Sequence, residues 1–162
     1  RPESLHEWWE AGRTLGCERL CAQCGEVLRT EFMTVSSANA SFSSLDVELI
    51  LDAVSSNALV CTKEDDVWDF VQRWAGDRAD ESAMIRRLAH HIRWPLMHRS
   101  TLDAVRERIS ACPSLDFLEG LVNEAVAFQE EASPPTPTVC IEPRKYLLGE
   151  LVVVNKDGRK RG

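Results

Sequence analysis

Apolar residues recur at the spacing of an α-helix through most of the chain between residues 4 and 131. After residue 64 the apolar positions follow the spacing i, i+1, i+4, i+7 and i+8: Val67, Trp68, Val71, Trp74 and Ala75. This spacing places the five side chains on one face of a helix. No convincing alternation of apolar and polar residues, the pattern typical of a β-strand, occurs before residue 135. The sequence therefore predicts an all-α fold.

Helix-breaking residues divide this pattern into about seven segments. Gly16 separates the first two, which we expect to form a helical hairpin over residues 4–33. The pair Trp94-Pro95 marks a later helix end, because a residue that precedes proline is disfavoured in the α conformation. Short loops between consecutive helices predict stacked antiparallel helical pairs.

Polar residues just before the apolar stripes predict where helices begin. Thr62 with Asp65, and Ser100 with Asp103, each form a capping-box pattern. In such a box the hydroxyl accepts a hydrogen bond from the N3 amide, and the acidic side chain accepts one from the N-cap amide. Ser114 is placed to cap the last strong helix.

The chain of 162 residues is long enough for one domain with a substantial hydrophobic core. We expect residues 1–131 to form this helical domain. Residues 132–143 have the proline-rich composition of an extended linker. In the tail, residues 144–162, the run 147–154 predicts a short β segment. A lone pair of strands is marginal in water, so this run is either a frayed end or part of a further module.

The formal net charge of −7 argues against a nucleic-acid partner, because binding to phosphates needs a concentrated basic surface. No stretch approaches the roughly 20 apolar residues of a membrane-spanning helix, so we expect no membrane partner either. These features indicate a protein of the cytoplasm, with the nucleus as an alternative location.

Three of the six cysteines lie close together in sequence: Cys17, Cys21 and Cys24. A structural zinc site needs four ligands, and no second close Cys or His pair completes the set, so we expect no metal and no cofactor. The favoured interpretation places the three thiols on a buried helix face as small apolar groups. Cys21 and Cys24 also have the spacing of a redox pair, but we expect both within a helix, whereas a helix start would lower the thiol pKa, so a redox role is disfavoured.

No combination of residues predicts catalysis. His90, His91 or His98 could act as a base, with Cys61 or Cys112 as nucleophile. Nothing in the sequence, however, brings a nucleophile, a base and an orienting carboxylate together. We therefore expect a protein that is not an enzyme and has no catalytic residues. A thiol or zinc enzyme built on the cysteine cluster is the less favoured alternative.

Two pairs of tryptophans have different expected environments. Trp68 and Trp74 lie on the apolar stripe described above and are expected in the core. Trp8 and Trp9 are adjacent, so a helix cannot bury both on the same narrow face. Because aromatic residues are enriched at binding hot spots, one of them is a candidate partner contact.

The order and spacing of several apolar pieces resemble the BACK domain of BTB-BACK-Kelch adaptors for cullin ubiquitin ligases. These pieces are Ala11, Leu15, Gly16, Cys17 and Leu20, then Phe32 and Val35, Phe42 and Leu45, Leu59 and Val60, Glu64 and Val67, and Trp74. Residues 91–97, followed by Leu102 and Val105, are similar to a further segment of that family. The resemblance covers residues 4–131. Trp94 departs from it, since the family usually carries a smaller aliphatic residue there.

The resemblance implies a partner-binding surface at the start of the chain. In the family a preceding BTB domain makes the dimer and most of the cullin contact, and the first helical pair, the three-box, extends that contact. Residues 4–33 would be the three-box pair. Its apolar residues are therefore the candidates for contact with a cullin scaffold: Leu5, Trp8, Trp9 and Leu15.

The resemblance also implies a protein substrate, held by Kelch blades that follow the BACK region. Residues 149–154 resemble the opening strand of a blade, although Asn155 and Lys156 stand where a double glycine is expected. The implied function is a non-enzymatic spacer that positions a substrate module relative to a cullin. A BTB-BACK scaffold or assembly protein with no role in ubiquitin transfer is the alternative.

Overall fold

The computed structural model describes residues 4–38, 43–76, 78–131 and 137–146. Two 3-10 segments, Trp94–Leu96 and Pro113–Leu118, separate some of the helices. Two strands of two residues each, β1 (Val60–Cys61) and β2 (Lys145–Tyr146), pair in parallel. The α-helices in this part of the chain are α1 (Leu5–Thr14), α2 (Glu18–Thr30), α3 (Phe32–Ser37), α4 (Val47–Ser55), α5 (Glu64–Gly76), α6 (Glu81–Ala89), α7 (Arg99–Ala111) and α8 (Glu119–Glu130). The predicted all-α class is confirmed.

Helices α1 and α2 form a hairpin with its turn at Gly16. Gly16 has a φ of 63°, a left-handed conformation that glycine adopts without steric cost. The turn is closed by a 2.8 Å hydrogen bond from the Cys17 amide to the Gly12 carbonyl. A side chain at Gly12 would place its Cβ only 2.9 Å from Cys21 Sγ, so this glycine allows the two helices to approach closely.

Three tryptophans fill the centre of the core. Trp68 and Trp74 are buried, as the helical stripe predicts, and Trp94 is fully buried as well. The Trp94 ring centroid lies 5.0 Å from that of Trp68. Each polar indole edge that is buried in this way needs an acceptor. Trp74 Nε1 donates to the Leu45 carbonyl at 3.0 Å, and Trp94 Nε1 donates to the Ala89 carbonyl at 2.8 Å.

The capping box predicted at Thr62 and Asp65 is wrong by one residue. Helix α5 begins at Glu64, and the amide of Lys63 donates to Asp66 Oδ2 at 3.1 Å. Asp65 and Asp66 are consecutive, so both could close a box with a preceding residue. Asp66 closes the box because the side chain of Asp65 is hydrogen-bonded to His98 and Thr101 instead.

Asp65 caps α7, which lies 33 residues further along the chain. Its carboxylate accepts from the His98 amide at 3.2 Å, from the Thr101 hydroxyl, and from His98 Nδ1 at 2.9 Å. Since α7 begins at Arg99, the box predicted at Ser100 and Asp103 is also wrong. Asp65 of α5 therefore caps α7 in place of the local pair Ser100 and Asp103.

The cap predicted at Ser114 is wrong for a different reason. Pro113 begins a 3-10 segment that continues to Leu118, and α8 begins only at Glu119. Leu118 therefore occupies the N-cap position of α8. Ser114 lies outside that helix, with its Oγ 3.1 Å from Cys112 Sγ.

Replacing Asp65 with asparagine should destabilise the fold in a pH-dependent manner. Burial alone would raise the pKa of this carboxyl, but the hydrogen bonds from Thr101 and His98 outweigh it and lower the pKa. Their stabilisation is complete above the ordinary aspartate pKa of about 3.9 and is lost as the pH falls through the lower folded value. We expect Asp65→Asn to lower the free energy of unfolding by about 1–2 kcal/mol at pH 7. This difference should shrink below pH ~4 in urea titrations followed by circular dichroism.

Asp69→Asn is the matched control, because Asp69 lies on the same helix and makes an exposed ion pair with Arg73. Such surface pairs contribute at most about 1 kcal/mol. Equal effects of the two substitutions at pH 7 would contradict the capping role of Asp65.

Candidate partner-binding site

Two large apolar side chains at the α1–α2 hairpin are exposed. Trp8 is 53% exposed and Leu15 is 77% exposed. Leu15 is the C-cap residue of α1 and lies seven residues after Trp8, a spacing close to two helical turns that favours the same side of the helix for both side chains. Among the described residues the other large exposed apolar side chain is Ile141, in a different part of the fold. We call Trp8 and Leu15 the α1 surface.

The other two predicted contact residues lie inward. Leu5 is buried, and Trp9 is partly buried against the core. Together with the buried Gly12 they have the spacing i, i+4, i+7 of an inward helix stripe. This stripe was present in the sequence and separates the inward residues from Trp8 and Leu15. Partner contact by the four residues stays a prediction, and only the α1 surface is positioned for direct contact.

Acidic side chains outnumber the basic Arg13 and Arg19 among the exposed charged residues of this part of the hairpin. Glu7 and Glu10 are exposed on α1, and Glu18 is exposed at the start of α2. Beside the turn, a shallow groove of about 370 Å³ is lined by Gly12, Arg13, Gly16, Glu18 and Cys21. An apolar centre within a polar rim is the usual composition of a protein interface. The negative rim favours a partner surface with basic residues.

The cysteine cluster differs from its predicted arrangement. Cys24 is buried, but Cys21 is only partly buried and Cys17 is exposed. Cys17 occupies the N-cap position of α2, so the expectation that all three thiols lie on a buried helix face is wrong, whereas Cys21 and Cys24 do lie within the helix as expected. The reason is that α2 begins at Glu18, two residues after the Gly16 turn. In the described ranges no three His, Cys, Asp or Glu side chains are grouped so as to hold a metal ion.

The buried thiols are not activated. Burial raises the pKa of Cys24, and burial together with the charge of Glu64 raises the pKa of Cys61 to about 12. A nucleophilic thiol requires the opposite shift. Of the histidines, His98 Nδ1 lies 2.9 Å from Asp65 Oδ2, in the cap of α7, and burial together with the charges of His90 and Arg144 lowers the pKa of His91.

A buried ion pair between Glu64 and Arg144 was not found from the sequence. Arg144 Nε lies 2.8 Å from Glu64 Oε2, and Arg144 Nη2 lies 3.0 Å from Glu64 Oε1. Both side chains are completely buried. In the sequence Glu64 resembles an ordinary acidic residue of a first helical turn, which hides its role. The partner lies 80 residues away, beyond the last helix.

These features define an all-α helical domain with an exposed apolar surface at its first hairpin and with buried thiols of raised pKa. The family model for BACK, "BTB And C-terminal Kelch", matches residues 6–107, which is more than half of the chain. The chain therefore belongs to the BACK family, and the resemblance seen in the sequence is confirmed. BACK regions are non-catalytic parts of BTB-Kelch adaptors. Comparisons with curated proteins and with solved structures gave no match.

Within the part of the chain that the structure describes, none of the helices combines the length and the apolar character required to cross a bilayer.

Truncation of Leu5 and of Leu15 should have very different effects on stability. Leu5→Ala removes a buried side chain and should lower the free energy of unfolding by about 2–3 kcal/mol. Leu15→Ala removes an exposed one and should change it by less than about 0.5 kcal/mol. Urea unfolding of both variants measures the difference. A large loss for Leu15→Ala would contradict its exposed position.

Proposed function

We propose that this chain is the BACK region of a substrate adaptor for a cullin-RING ubiquitin ligase. It acts without chemistry, as a spacer that positions a substrate-binding module relative to the cullin. The observation that carries the proposal is the α1 surface in a chain of the BACK family. Trp8 and Leu15 lie in the hairpin that corresponds, by resemblance, to the three-box that extends the cullin contact.

The α1 surface has the composition of a small interaction hot spot. Tryptophan is among the residues that contribute most to interface energies. More than half of the Trp8 side chain is accessible to a partner, and Leu15 is more exposed still. Binding of both in an apolar groove would remove them from water. Basic residues around that groove would complement Glu7, Glu10 and Glu18.

Two side chains alone provide a weak interface. A BTB domain that precedes this region and binds the same cullin would make the α1 contact effectively intramolecular. Linked contacts of this kind raise overall affinity by orders of magnitude without a new interaction. We therefore expect tight binding of the full-length protein to a cullin N-terminal region, and weak binding of this 162-residue chain alone.

Substitution of the α1 surface should weaken cullin binding without unfolding the domain. In the full-length protein the double variant Trp8→Ala, Leu15→Ser should bind a purified cullin N-terminal region at least tenfold more weakly, a change of about 1.4 kcal/mol. Isothermal titration calorimetry measures this affinity. Ile141→Ser is the matched control, because Ile141 is another exposed apolar residue and lies outside the hairpin. It should leave the affinity unchanged.

Two results would count against the proposal. Equal affinities of the double variant and the wild type for the cullin would show that the α1 surface does not contribute to the contact. Absence of cullin binding by the full-length wild-type protein would favour the alternative, a BTB-BACK scaffold or assembly protein with no role in ubiquitin transfer.

A further inference from the structure

The chain packs back onto the helical domain after α8. We call residues 137–146 the strap. Val139 and Arg144 of the strap are buried, whereas Cys140, Ile141 and Pro143 between them are exposed. The strap ends at β2, which pairs with β1 in the register Val60 to Lys145 and Cys61 to Tyr146. The neighbouring stretches 132–136 and 147–162 of the predicted linker and tail, including the proposed blade strand, lie outside the described residues.

The guanidinium of Arg144 occupies a site formed by three parts of the helical domain. Glu64 at the start of α5 accepts two hydrogen bonds from it. The carbonyls of Val54 and Ser56, at the end of α4, accept from Nη1 at 2.6 and 2.9 Å. The carbonyl of His91, after α6, accepts from Nη2 at 3.0 Å. These bonds match the five N–H donors of an arginine side chain.

A second arginine connects the same site to the middle of the strap. The side chain of Arg93 is buried and donates to the carbonyl of Glu142 and to Asn57 Oδ1. Asn57 in turn donates to the carboxylate of Glu142 at 2.7 Å. The amide of Arg93 donates to Glu64 Oε1 at 2.9 Å. Glu64 therefore binds Arg144 directly and orients the segment that holds Glu142.

The other attachments of the strap are weaker. The amide and the hydroxyl of Thr138 donate to the Glu124 carboxylate at 3.2 and 2.8 Å, but these hydrogen bonds are exposed to solvent. The parallel pair of two-residue strands has little stability of its own. Among residues 137–145 of the strap, Val139 is the one buried apolar side chain. An unpaired charge in a buried site is far less favourable than a paired one. Occupation of the site by Arg144, with its buried ion pair and five hydrogen bonds, is therefore the strongest attachment of the strap.

We infer that the strap is a latch: Arg144 binds the Glu64 site and fixes the point and direction in which the chain leaves the helical domain. A module that follows residue 146 is then held in a defined orientation, rather than tethered by a proline-rich linker. This positional role rests on the proposed spacer function, whereas the latch itself does not depend on a cullin.

Trypsin provides a direct test, since it cleaves after arginine only when that side chain can enter the protease. In the wild-type chain, cleavage after Arg144 should be at least tenfold slower than in a synthetic peptide of residues 137–146. Glu64→Gln leaves the cleavage site intact but removes the charge that binds Arg144. It should raise the rate of this cleavage at least tenfold, measured by mass spectrometry.

Glu48→Gln is the matched control, because Glu48 makes an exposed ion pair with Arg87. In this variant trypsin should cleave after Arg144 at the same rate as in the wild type. Circular dichroism of each variant reports whether the helices remain folded. If Glu64→Gln unfolds the chain, the rates of cleavage after Arg144 in the wild-type chain and in the peptide still test whether Arg144 is held in its site. Cleavage of the wild type as fast as the peptide, or no acceleration in a folded Glu64→Gln variant, would overturn the latch. Neither result involves the cullin, so failure of the latch is distinguishable from failure of the proposed function.

Discussion

The buried ion pair between Glu64 and Arg144 joins four parts of the fold that are distant in sequence: the end of α4, the start of α5, the segment after α6, and the strap. Removal of one partner from such a pair costs about 3–5 kcal/mol, because the remaining charge stays buried. That is a large fraction of the roughly 5–15 kcal/mol that stabilises a typical domain. The arrangement of these parts therefore depends on one interaction that neither local helix propensity nor the apolar stripes specify.

The position of this pair gives the proposed spacer role a physical basis. At the start of the chain, the inward stripe of Leu5 and Trp9 holds α1 and leaves Trp8 and Leu15 exposed. Helix α2 packs on α4, and the end of α4 supplies two of the carbonyls that bind Arg144. A continuous packed path thus connects the α1 surface with the strap. Rigid connection of two surfaces is what a positioning domain needs, since a flexible one would not define an angle.

Sequence reasoning succeeded where a single helix determines the outcome. The stripe around Trp68 and Trp74, and the turn at Gly16, follow from local spacing, and both occur in the structure. It failed where the partner is remote in sequence. The capping boxes were misplaced because Asp65 serves α7 across 33 residues. Arg144 could not be paired with a carboxylate 80 residues away from one sequence alone. The inward position of Leu5, by contrast, could have been read from its spacing to Trp9.

The distance between the hairpin and the strap tests the central claim most directly. Cys17, at the hairpin turn, and Cys140, in the strap, are both exposed and can carry spin labels once Cys21 and Cys112 are replaced by alanine. Pulsed dipolar spectroscopy should then give one narrow distance distribution, which Glu64→Gln broadens while the helices remain folded. A broad distribution in the chain with Glu64 intact would contradict the account, because the strap would not hold a fixed position on the helical domain.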